Sequence, residues 1–202
     1  VEHIRLRDIF PIGVQILREN RPFRNYTLVK VLVGAAEFAV PYYIIAAGEL
    51  EGAPAGFVGI MTTVYLVSKV VSSLVLGRIA DRFGATRVLR CSCLCGAAAA
   101  LMVILIRDWR LAFVMYALLA VAVNGVMMSN NIACVAYSGN VRTPIYAAAS
   151  GLLCAPLYVV SSFAGAAIVG RFSYTAVFLI AMAVYAVCAL LTFTLKDEPN
   201  RR

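Results

Sequence analysis

Six runs of mostly apolar residues, at about 28–48, 55–77, 89–106, 111–136, 144–169 and 174–195, leave this chain few folds to choose from. Each run is long enough to cross a hydrocarbon layer about 30 Å thick. Inside such a layer no water satisfies backbone N–H and C=O groups, so only helices and closed barrels span it. Runs this long also lack the alternation of a barrel strand. The expected fold is therefore all-α and integral to the membrane, a bundle of six transmembrane helices. Composition agrees: 62% of residues are hydrophobic and 14% charged, against about half and a quarter in soluble domains.

Basic residues set the expected orientation, because short flanks rich in Lys and Arg stay cytoplasmic. With both termini inside, that side gathers Arg5, Arg7, Arg18, Arg21, Arg24, Lys30, Arg78, Arg82, Arg87, Arg90, Arg142, Lys196, Arg201 and Arg202. Only Arg107, Arg110 and Arg171 fall on the other side, and Lys69 lies within the second run. The net charge of +8 thus belongs to membrane flanks. It lacks the aromatic interleaving of a nucleic-acid binder, so no nucleic-acid partner is expected. Residues 1–27 mix apolar and basic positions around Pro11 and Pro22, which suits amphipathic pieces at the cytoplasmic headgroups, and 196–202 reads as a cytoplasmic tail.

Enzymatic chemistry has no visible home. No HEXXH, P-loop or Gly-x-Ser-x-Gly elbow is present, and no nucleophile has a base at readable spacing. No cofactor is implied. Cys91, Cys93 and Cys95 open the third run, but on a helix Cys93 points away from the face of the other two and no His is near. Small apolar filler suits these thiols and the single Cys134, Cys154 and Cys188; palmitoylation and metal binding are the other readings.

Polar groups inside the runs are the candidates for function, since a charge in hydrocarbon is costly and usually paired or used. Glu37 and Lys69 lie about 15 Å and 12 Å from the same membrane side on antiparallel neighbours. They can pair; alternatively Lys69 snorkels to the headgroups while Glu37 is hydrogen-bonded inside. Pro41 cannot donate to the carbonyl of Glu37, and Pro156 likewise frees that of Leu152, so both predict helix kinks. The fourth run carries Asn124, Ser129, Asn130 and Asn131, with Asn124 and Asn131 on nearly one face; solute contact and interhelical bonding both fit. By contrast Ala97–Ile106 of the third run and most of the sixth look lipid-facing.

Between the second and third runs, Gly77, Asp81, Arg82, Gly84 and Arg87 lie in GRIADRFGATRVLR. This segment resembles the loop signature of the major facilitator superfamily: Gly, three residues, Asp, a basic residue, one residue, Gly, then basic positions. The resemblance covers the chain from before the first run to Asp197-Glu198-Pro199 and implies the C-terminal half of a twelve-helix transporter, built as two inverted three-helix repeats. The first helix of each repeat would line the cavity, the third would face lipid, and the second would form the interface. The second-helix positions include Lys69, Ser72 and Ser73, and then Ser150, Gly151, Ser161, Ser162, Ala166 and Gly170. The implied partners are the bilayer, a small-molecule solute, and a second six-helix half, either a missing N-terminal half or a second copy. The implied function is secondary active transport by rocking-type alternating access in the plasma (inner) membrane, with Glu37 as a candidate for proton coupling. A non-transporting sensor or partner-binding subunit derived from such a half is the alternative.

Overall fold

The computed structural model describes residues 6–50, 52, 54, 56–139 and 143–195. Arg5, Arg142 and the expected tail at 196–202 lie outside the described residues, as does the side chain of Arg7. Every regular element is helical: α1 (Leu6–Glu19), α2 (Arg21–Ala36), α3 (Val40–Gly48), α4 (Phe57–Phe83), α5 (Ala85–Leu105), α6 (Ala112–Ser138), α7 (Thr143–Arg171) and α8 (Tyr174–Leu191). One-turn 3-10 segments at Glu37–Ala39 and Trp109–Leu111 join α2 to α3 and open α6. Six stretches are long and apolar enough to cross a membrane, the first being α2 and α3 taken together, Arg21–Gly48.

That first span starts well before residue 28, and the reason is local. The Asn20 side chain accepts the Phe23 N–H at 3.1 Å, and Pro22 sits in the first turn, where a missing N–H costs nothing. The residues before it, expected to be short amphipathic pieces, form a single helix. α1 runs as one helix through Pro11 and packs on α7, with Ile16 and Leu17 buried and Gly13 close to Ala149.

α5 occupies the middle of the bundle, flanked by α6 and α8. α4 packs outside α6, while α2 joins α8 and carries α7 on its other side. The Ala97–Ile106 stretch expected to face lipid is packed inside the bundle at Ala99 and Ala100. Ser92, Cys93, Gly96, Ala99 and Ala100 of α5 are buried, while Arg87, Leu94, Leu101 and Leu105 form its outward face. An alanine run looks bland in sequence, yet it is what lets neighbouring helices approach in lipid. A methyl at Gly96 would stand 2.7 Å from the Tyr185 ring, and one at Gly125 would overlap Ser92 Oγ.

α4 and α7 are the least buried spans. Val67, Val70, Val71, Leu74 and Val75 of α4, and Val159, Val160 and Phe163 of α7, face outward. Ser162, Ala166 and Gly170 are exposed as well; the contact inside the bundle is made one position earlier, where Gly165 meets Phe38. At the end away from Gly84, Phe57, Trp109 and Phe113 stack mutually with centroids 5.9–6.3 Å apart.

Gly96→Ala should destabilise the purified protein by about 1–3 kcal/mol, read as a lower melting temperature in detergent. Gly151→Ala, with nothing within 4 Å of its new methyl, should leave it unchanged.

Candidate functional site

A polar seam runs between α2 and α7. Lys30, Gly34 and Glu37 follow each other at positions i, i+4 and i+7, so they share one face. Ser150, Cys154, Tyr158 and Ser161 recur at similar spacing on α7. Lys30 Nζ donates to Ser150 Oγ at 2.9 Å, and Ser150 donates onward to Asn130 Oδ1 on α6 at 2.8 Å. Gly34 leaves space for the Tyr158 ring, whose hydroxyl would stand 3.0 Å from an added methyl. That hydroxyl interacts with the Glu37 carboxylate. Beyond it opens a cleft of about 280 Å³ lined by Glu37, Phe38, Pro41, Tyr42, Tyr158, Ser161 and Ser162.

The first span breaks where Pro41 requires it, but the Glu37 carbonyl is not left free. The Val40 N–H bonds to the Glu37 carbonyl, and the Glu37 N–H to that of Gly34, so the 3-10 turn re-satisfies both. The turn also places Glu37 at the seam. Pro156 lies inside α7, whose helix continues past it to Arg171.

Glu37 and Lys69 have each found another neighbour. Lys69 Nζ lies 5.6 Å from the Tyr65 ring centroid, and both Lys30 and Lys69 act on Glu37 through space. Lys30 itself was placed at the cytoplasmic flank from sequence; the structure buries it, 7% exposed, among α2, α6 and α7. Among the described residues the hydroxyls of Tyr43, Thr86 and Tyr185 are buried without a hydrogen-bond partner, and Tyr185 lies within the electrostatic reach of Glu37.

The three asparagines separate. Asn124 Nδ2 donates to Ser73 Oγ at 2.8 Å, Ser72 Oγ at 2.9 Å and the Lys69 carbonyl at 3.2 Å, fastening α6 to α4. Asn130 joins the seam through Ser150, and Asn131 is exposed. Ser129 of the same helix donates to the Ala85 carbonyl at 2.7 Å and accepts from Tyr26 Oη at 2.6 Å.

The signature segment is helical rather than a loop. Gly77, Asp81 and Arg82 ride on α4, Arg87 on α5, and the turn between the two helices is Gly84 alone, at φ +79°. Asp81 and Arg82 point to solvent there, and Arg87 packs on Phe83 with its guanidinium 4.6 Å from the ring centroid. A neighbouring basic residue fixes the end of α8. Arg90 donates to Thr192 Oγ1 at 3.0 Å and to its carbonyl at 3.1 Å, while its guanidinium lies 3.7 Å from the Phe193 ring centroid. Such a cation also suits the partial negative charge of a helix C-terminus.

Against known proteins, the family model of the Major Facilitator Superfamily matches residues 27–202. The chain belongs to the major facilitator superfamily. It is a membrane-embedded, transporter-type protein of a family whose members are transporters, and its six-helix size fits half of that fold. Comparison with curated protein sequences and with solved structures returns no match. Within this superfamily member, α1 precedes the matched region. Lys30, Ser150 and Tyr158 are the seam residues that sequence reading passed over as site candidates. Spacing could have found Lys30 and Glu37, which are two turns apart on one face; nothing in the sequence says that α7 covers that face.

Asn124→Leu removes three bonds to α4 and should lower stability by about 0.6–2 kcal/mol, as a melting series in detergent would read. Gly84→Ala should cost about 1–2 kcal/mol, because its positive φ strains any residue with a Cβ.

Proposed function

We propose that this chain is one half of a secondary active transporter that moves a small solute by rocking-type alternating access, with both termini in the cytoplasm. The observation that carries the reading is the polar seam at the broken first span. An acid and a tyrosine line a cleft, and a buried lysine follows two turns away on the same face of α2, at a depth where hydrocarbon would make them costly without a use. Transporters of this general kind place solute sites at discontinuous helices, and the 3-10 turn at Glu37–Ala39 supplies one. Glu37 is the candidate coupling group, with Lys69 as its second cation. Asn124, by its bonds, serves α4–α6 attachment instead.

The outward faces of α4 and α7 suit a second six-helix half, either an N-terminal half or another copy of this chain. Asn131 supports that pairing. It carries an exposed amide about 10 Å inside the end of α6, where lipid offers no hydrogen bond. At the Arg-rich end, exposed Asp81 is free to face a helix start of that second half. A carboxylate there is worth about 0.3–1 kcal/mol when exposed and about 2 when buried, enough to bias a two-state equilibrium several-fold. The positive-inside bias of Arg18, Arg21, Arg24, Arg78, Arg82, Arg87 and Arg90 supports placing this end in the cytoplasm of a plasma (inner) membrane.

The test is solute flux in proteoliposomes with the assembly state measured alongside. Wild-type protein should move solute as a two-half assembly, and Asp81→Asn should lower flux several-fold at unchanged expression and insertion. A stable monomer in nanodiscs that still moves solute would remove the paired-half reading. Absence of any flux or solute exchange from a correctly assembled sample would remove transport itself and leave a sensor or partner-binding role.

A further inference from the structure

Three aromatic rings gather around Glu37, and glycines make room for them. Gly34 of α2 admits the Tyr158 ring, and Gly165 of α7 admits those of Phe38 and Tyr42, whose carbons would stand 2.7 Å and 3.4 Å from an added methyl. Tyr42 rests in turn on Tyr174, with centroids 6.1 Å apart. Phe38 and Tyr42 thus close on the 280 Å³ cleft from the first span and Tyr158 from α7, with Glu37 in the same wall. Glu37 lies sixteen residues past the start of the Arg21–Gly48 span and eleven before its end, beyond the reach of a lipid headgroup. The cleft opens at Ser162, which is exposed on the face of α7 assigned above to a second half.

Most hydroxyls of this cleft have already committed their protons. That of Tyr158 is hydrogen-bonded to the Glu37 carboxylate, and Ser161 and Ser162 donate to the Tyr158 carbonyl at 3.0 Å and 2.8 Å. Tyr42 carries the fourth lining hydroxyl. What the wall turns to an occupant is therefore a carboxylate, oxygen lone pairs and aromatic rings. An anion or a polyol needs donors, whereas an ammonium is attracted by each of these groups. No Lys or Arg lines the cleft. The two lysines that act on Glu37 have other neighbours: Lys30 donates to Ser150 two turns away, and Lys69 Nζ lies by the Tyr65 ring. Coulomb energy falls with separation, so a cation touching the carboxylate gains more from it than it loses to either lysine.

We infer that this cleft binds a small organic cation, its ammonium group held by the Glu37 carboxylate among the rings of Phe38, Tyr42 and Tyr158. The inference rests on the transport reading and names its substrate class. A volume of about 280 Å³ is just below the usual range for small-molecule sites, which restricts the occupant to a compact ammonium.

The experiment reads the melting temperature of the full chain in detergent with choline, its uncharged isostere 3,3-dimethylbutan-1-ol, benzoate or sodium chloride, each at the same millimolar concentration. Choline should raise it by about 2–4 °C near saturation, and the other three should not. Glu37→Gln should abolish the rise, and Tyr42→Leu should weaken choline affinity about three- to tenfold. Lys69→Met removes a repelling charge and should tighten binding by about twofold. If Glu37→Gln does not fold, the Tyr42→Leu and Lys69→Met titrations decide. An equal rise with the isostere would show that the cleft takes apolar bulk and not charge, and would sink the assignment. A choline response indifferent to Glu37→Gln and Tyr42→Leu would overturn it, as would stabilisation by benzoate with choline inert. Choline binding without flux in proteoliposomes would retire the transport reading and leave the cation site in place. Flux of another solute with choline inert would do the reverse.

Discussion

A backbone in hydrocarbon has nowhere to send its hydrogen bonds except into itself, and each feature of this molecule is a settlement of that demand. It makes the spans helical, and it governs how they are interrupted. The 3-10 turn at Glu37–Ala39 shifts its bonds by one residue so that Pro41 can enter without orphaning a carbonyl. Exposed hydroxyls obey the same demand. Thr62, Thr63, Ser73 and Ser162 point outward but return their hydroxyls to carbonyls of their own helix, so their exposure in lipid carries little cost.

With polar groups so closely accounted for, the few that bridge helices define where the bundle is specific. Asn124 ties α6 to α4, Ser129 ties α6 to α2 and α5, and Lys30 with Ser150 and Asn130 ties α2, α7 and α6 together. Apolar packing alone would leave these helices free to slide, since lipid chains are as apolar as leucine. Small side chains decide the distances. Gly96 under Tyr185 and Gly125 beside Ser92 set α5 against α8 and α6 more closely than any residue with a Cβ would permit.

Span number, fold class and family were legible in the sequence, because run length and the Gly77-to-Arg87 pattern are one-dimensional signals. Glu37 and Pro41 were visible for the same reason, as polar and ring-bearing residues in apolar company. What the sequence withheld was rotation. Asn124 and Asn131 share a nominal face, yet one meets α4 and the other is exposed, since α4 covers only part of α6. Lys30 looked like a flank because hydropathy starts the span near residue 28, whereas the helix starts seven residues earlier at Arg21, where the Asn20 cap fixes it. The alanines of α5 looked lipid-facing because hydropathy weighs apolarity and not size.

The turn at Gly84 joins a helix of 27 residues to one of 21 with a single residue between them. There is no slack in such a joint. α4, on the outside of the bundle, and α5, at its centre, therefore form one bent lever with its fulcrum at the Arg-rich surface. The outer helix and the centre of the bundle thus share one joint, and the Arg90 clamp ties the inner arm to the end of α8.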